Sequence, residues 1–164
     1  SILPNRCGRL GQDRCRWWRE IWNHKDTKAQ RNTKPMHSPL SPQTESLAKE
    51  VVDIAFQIHK ELGPGLLESV YEKCFCHELE RREISYTRQQ AVEIIYKDLM
   101  IGDGLRIDIF VNNEIIIELK AQENFHPVWE AQLLSYLKLT KKRLGFLVNF
   151  HVPLMKSGIK RIVL

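Results

Sequence analysis

The stretch Leu105-Arg-Ile-Asp108-Ile-Phe-Val-Asn-Asn-Glu114-Ile-Ile-Ile-Glu118-Leu-Lys120 decides the architecture. Ile107, Ile109 and Val111 alternate with Arg106, Asp108 and Phe110, and Ile115, Ile117 and Leu119 alternate with Ile116, Glu118 and Lys120. A period of two belongs to strands, so each run has one apolar face and one face bearing charge. The apolar faces coincide only if Val111 pairs with Ile115, which implies a three-residue loop Asn112-Asn113-Glu114. That register sets Asp108 opposite Glu118 and Arg106 opposite Lys120. Opposed carboxylates on neighbouring strands have Cβ atoms about 4.5–5.5 Å apart and repel unless a cation lies between them. Two carboxylates and a lysine so placed are the minimum set for holding a hard divalent cation and activating a water. The other reading is a solvated face on which Arg106 and Lys120 neutralise the acids, against which stand Phe110 and Ile116 on that same face.

The elements on either side follow from periodicity. Leu47, Val51, Ile54, Ile58 and Leu62 recur at steps of three and four, so residues 45–62 form an amphipathic helix that Gly63-Pro64-Gly65 stops. A second helix runs from near Leu66 to about Arg82, with Leu67, Val70, Tyr71, Cys74, Phe75 and Leu79 as its buried side. Four short strands follow: Ile84 to Arg88, Ala91 to Tyr96, Leu105 to Val111 and Glu114 to Lys120. A helix returns from Pro127 to Leu139, then a buried strand from Leu144 to Phe150 and an edge strand from Ile159 to Val163. Helices covering a mixed sheet make this an α/β fold.

Composition limits the rest. The chain has 164 residues, 43% of them apolar, enough for one domain with a real core. Without an apolar run of about 18 residues or a signal-peptide core, the chain reads as soluble and cytoplasmic, with no membrane partner. Cys7, Cys15, Cys74 and Cys76 read as free thiols, and Cys74-Phe-Cys76-His77 lies within one helix and cannot converge four zinc ligands.

The net charge of +5 is a property of one end. Residues 1–35 hold nine Lys or Arg against three acids, and the other 129 residues hold 16 against 17. Residues 1–44 read as a basic extension with little fixed structure before about Thr44, leaving 45–164 as the domain. Arg14-Cys-Arg16-Trp17-Trp18-Arg19-Glu-Ile21-Trp22 could grip phosphates and stack on bases, or settle at a membrane surface. The plainer reading is an unstructured extension, translated upstream of a start at Met36.

Further motifs join the central pair. Gly65-Leu-Leu-Glu68-Ser-Val-Tyr71 spells G-x-x-E-x-x-Y, and Gln132-x-x-x-Tyr136 and Asn149-Phe150 follow. With Arg106-Ile-Asp108 and Glu118-Leu-Lys120, these resemble the small GxxExxY proteins of the PD-(D/E)XK nuclease superfamily, from about residue 46 to the C-terminus. Ile107 stands where the superfamily's name has proline. The resemblance implies a restriction-endonuclease-like core, a mixed central β-sheet flanked by α-helices. It also implies a site in which Asp108, Glu118 and the carbonyl of Leu119 hold Mg²⁺ or Mn²⁺ and Lys120 orients a water or balances transition-state charge.

Supporting positions are less determined. Glu68 could complete the metal site, or be a helix-start acid favoured by the macrodipole. Tyr71, one turn on, could orient Glu68 or be a core tyrosine with a wet hydroxyl. Gln132 and Tyr136 share a helical face and could donate to a phosphate oxygen, though Tyr136 also fits the apolar stripe. His126 and Trp129 could wall the groove, His126 otherwise being a surface cap. The function expected is a metal-dependent phosphodiesterase acting on DNA or RNA. The alternatives are a non-catalytic or regulatory nucleic-acid-binding module that keeps the fold, and an oligomerising structural protein. A homodimer or a protein partner that delivers substrate fits the near-neutral domain.

Overall fold

The computed structural model describes residues 39–164, and the expectations for the first 38, the Arg14 to Trp22 cluster included, lie outside them. Helix α1 (Pro42–Leu62) starts earlier than periodicity implied, because Ser41 caps it: its hydroxyl accepts the Thr44 amide at 3.0 Å. Pro42 fits the first turn, where its missing N–H is no loss. Ser41-Pro42 therefore starts a helix instead of interrupting the chain, and such a cap contributes about 1 kcal/mol. Gly63 ends α1 at φ 67, a conformation that suits glycine.

Helix α2 (Glu68–Arg81) buries Tyr71, Glu72, Phe75, Cys76 and Leu79. Leu67 and Val70, expected inside, are exposed, and Cys74 is half-buried. The reason is phase: Leu67 is the residue before the helix, and the buried stripe runs through Glu72 and Cys76 instead.

Five strands form one sheet in chain order: β1 (Tyr86–Tyr96), β2 (Leu99–Val111), β3 (Ile115–Lys120), β4 (Leu144–Asn149) and β5 (Ile159–Val163). All neighbours are antiparallel except β3 and β4, and helix α3 (Val128–Thr140) makes the crossover that a parallel pair needs. A one-turn helix α4 (Met155–Gly158) precedes β5 and had no periodic signal. Three strands, not four, precede α3. The two runs expected at 84–88 and 91–96 are one strand whose interruption is Gln89, at φ 51, and not a turn.

The parity argument holds for the central hairpin. Val111 pairs with Ile115, Phe110 with Ile116 and Ile109 with Ile117. Asn112 and Asn113 take φ 49 and 53, left-handed values that asparagine tolerates better than most residues, and the Glu114 amide closes the turn on Val111 O at 2.9 Å.

Both faces of the sheet are covered, as a parallel crossover requires. Phe110, Ile116 and Leu147 share a core with Trp129, Leu133, Tyr136 and Leu137 of α3. The approach is close at Gly145, where a Cβ would come 2.8 Å from Leu133 Cδ1. Ile109, Ile117 and Phe146 are fully buried on the other face, where α2 packs on β1–β3 and α1 packs on α2. Among the described residues no helix is long and apolar enough to cross a membrane.

Candidate active site

The site begins where β2 leaves its neighbours. Pairing with β3 ends at Ile109↔Ile117, and pairing with β1 passes from Arg88↔Ile109 to Gln90↔Ile107. Asp108 is thus outside both ladders. The expected ladder pairs Asp108–Glu118 and Arg106–Lys120 do not form: the strands part before the two acids meet. Asp108 uses its side chain instead, its Oδ2 accepting the Leu119 amide at 2.9 Å. This satisfies an N–H that would otherwise lack a strand partner.

Glu118 and Lys120, two apart on β3, share a face, and Lys120 Nζ meets Glu118 Oε1 at 2.7 Å. Glu118 is only 2% exposed, and its Oε2 is buried with no hydrogen-bond partner. Lys120 is held in turn by its backbone: its carbonyl accepts the Phe150 amide at 2.8 Å. Asn149 is buried and ties down the chain just past Lys120. Its Oδ1 accepts the Gln122 amide at 3.1 Å, and its Nδ2 donates to Gln122 O at 2.8 Å.

Glu68, the first residue of α2, reaches this end of β3. Burial pushes its carboxyl above the ordinary value, with Asp108 adding to the rise, while Lys120 and the Ala121 amide oppose it. Glu68 is half-buried, at the first residue of α2. Glu72, one turn on, is also buried, and pairs with Arg88. Burial raises Asp108 as well, against the Leu119 amide and Lys120. Glu118 is pushed up to about 7 by burial and then by Asp108, which together outweigh the Lys120 hydrogen bond. Lys120 loses from burial, yet Glu118, Glu68 and Asp108 hold it above its usual value. Three carboxylates thus share one ammonium, and the cluster is short of positive charge.

The remaining candidates divide. Tyr136 donates to Arg106 O at 3.0 Å and accepts from Gln132 Nε2 at 2.8 Å. Burial raises its hydroxyl, and Glu118 and Asp108 add to the rise, so it lies in the field of the acids. Arg106 joins through its carbonyl, its side chain being exposed. Leu119 contributes its amide. Tyr71 orients the loop and not Glu68: its hydroxyl donates to Gly63 O at 2.7 Å and accepts the Leu66 amide at 3.1 Å, while its ring stacks on Phe150. Trp129 is core, and His126 accepts the Val128 amide at 3.1 Å as a surface cap.

Two further residues belong to this neighbourhood. Gln89 donates to Asp108 Oδ1 at 3.4 Å, and its polar side chain between two apolar runs had resembled a turn. Glu72 lies four residues after Glu68, a spacing that places both on one helical face and could have marked it.

Among the described residues no three His, Cys, Asp or Glu side chains form a ready-made metal cluster. The donor set nonetheless fits a hard cation. Oxygen ligands are what Mg²⁺ and Mn²⁺ take, Glu118 Oε2 has no partner, and the cluster lacks positive charge.

No curated protein and no solved structure matches the chain. A family profile described as the PD-(D/E)XK nuclease superfamily matches residues 45–162, more than half the sequence. The chain belongs to the PD-(D/E)XK nuclease superfamily, and its five-stranded mixed sheet with flanking helices is a restriction-endonuclease-like fold.

Proposed function

We propose that this domain is a metal-dependent nuclease that hydrolyses phosphodiester bonds of DNA or RNA. The observation that carries the reading is Glu118: a buried carboxylate with one oxygen on Lys120 and the other without a partner, beside Asp108 and Glu68. Burying such a group is costly unless something completes it.

Asp108 and Glu118 are the residues that would hold Mg²⁺ or Mn²⁺, with Glu68 as a third donor and the carbonyl of Leu119 as a further candidate. When bound, the ion supplies Lewis acidity toward the scissile phosphate and lowers the pKa of a water. Asp108 keeps its orientation through the Leu119 amide. Lys120, on the same face of β3 as Glu118, would hold a water through its ammonium or offset charge on the transition state. Gln132 donates to Tyr136, whose hydroxyl is in the field of Glu118 and Asp108, and its remaining N–H would be available to a substrate phosphate.

Plasmid DNA and single- and double-stranded DNA and RNA oligonucleotides, incubated with Mg²⁺, Mn²⁺ or chelator, test this. Ion-dependent cutting of at least one substrate is expected. Binding without cutting on every substrate would leave a nucleic-acid-binding module that keeps the fold.

A further inference from the structure

Gln89 lies inside β1 at φ 51, a left-handed conformation unfavourable for any residue with a Cβ and of no use to a regular strand. The distortion falls at one particular place. Pairing of β1 with β2 runs Arg88↔Ile109 and then Gln90↔Ile107, so Gln89 and Asp108 leave the ladder together. Their link is a side-chain contact instead, Gln89 Nε2 donating to Asp108 Oδ1 at 3.4 Å. The other carboxylate oxygen, Oδ2, accepts the Leu119 amide at 2.9 Å. Asp108 is therefore held from both sides, by β3 through a backbone amide and by β1 through a side-chain amide. The register is kept across this step, one residue facing one, so the distortion is a local left-handed kink that takes Gln89 and Asp108 out of the ladder without shifting either strand.

We propose that Gln89 is a positioning residue that holds the Asp108 carboxylate in one orientation for a divalent cation. This rests on the reading of Asp108 as a metal ligand. The amide takes one lone pair of Oδ1 and leaves the other for an ion. With the carboxylate fixed beforehand, less order has to be created on binding, and partners that orient a ligand in this way support affinity without touching the metal. The strained backbone is what brings the amide there; a glycine at 89 would adopt the same φ without strain.

The test compares wild-type full chain with Gln89→Gly and Gln89→Ala by calorimetric titration with MnCl₂, thermal melting in chelator, and oligonucleotide cleavage. Gln89→Gly relieves the backbone and removes the amide, so it is expected to melt no lower than wild type while its Mn²⁺ affinity falls roughly ten-fold. Gln89→Ala is expected to lose the same affinity and to melt lower than Gln89→Gly, since, like wild type, it keeps the strained φ. Cleavage should fall at low Mn²⁺ in both variants and recover as Mn²⁺ is raised. A purely structural residue would move melting and affinity together. Mn²⁺ affinity within about two-fold of wild type in both variants overturns the proposal. Wild type that binds Mn²⁺ without cutting removes the nuclease reading and leaves Gln89 judged by the titration; wild type that binds no Mn²⁺ overturns both.

Discussion

Glu118 is partnered on one side only: Lys120 Nζ lies 2.7 Å from its Oε1, while its Oε2 is buried without a hydrogen-bond partner. In a neighbourhood that also holds Asp108 and Glu68, this leaves the folded, metal-free domain with more negative charge than one lysine offsets.

A pH dependence of stability follows. Folding raises the Glu118 carboxyl from an ordinary value of 4.5 to about 7, so the folded state binds its proton more tightly than the unfolded state does. The associated stability is fully present below pH 4.5 and is lost as pH rises through 7, an effect on the order of 3 kcal/mol for this group. Asp108 and Glu68 are raised too and act in the same sense. Melting in chelator is expected to fall by several degrees between pH 5 and pH 8, and Glu118→Gln to flatten that slope. A wild-type slope no steeper than that of the variant would contradict the charge shortage.

The loop before Glu68 has its own support. Tyr71 donates to Gly63 O and accepts from the Leu66 amide, so Tyr71→Phe strips a largely exposed loop of two partners at once. The expected loss is about 1–3 kcal/mol in denaturant unfolding, with the ring stack on Phe150 retained. Stability unchanged within error would show that water replaces the hydroxyl freely.

Much of this arrangement can be read from residue order, and the exceptions have causes. The Val111–Ile115 register follows from two apolar faces that must coincide, and the buried strand at 144–149 from its unbroken apolar composition. Gln89 misleads because a polar residue between apolar runs looks the same whether the chain turns or merely kinks. Glu72 gives little signal because a helical glutamate defaults to the surface, and its partner Arg88 is on a strand that comes later in the chain. The separation of β2 from β3 at Asp108 depends on sheet geometry that alternation alone does not encode.

Gly158 shows how tightly the β4 end is packed. A Cβ there would overlap the carbonyl oxygen of Asn149, the residue that secures Gln122 just beyond Lys120. Gly158→Ala is expected to destabilise by about 1–3 kcal/mol, and more if the backbone cannot shift. Because the strain falls on Asn149, cleavage should decline at temperatures where the domain is still folded. Equal stability would mean that α4 moves aside easily.

The nuclease reading turns most directly on one ratio: the rate of Mn²⁺-dependent oligonucleotide cleavage by wild type over that by Glu118→Ala, with Lys120→Ala measured alongside. Loss of a buried carboxylate proposed to hold the ion is expected to lower the rate by at least ~100-fold, and loss of the ammonium by a comparable factor, in protein that still folds. Cleavage unchanged in both variants would place the chemistry at a different site or in a contaminant, and would contradict the role given to Glu118.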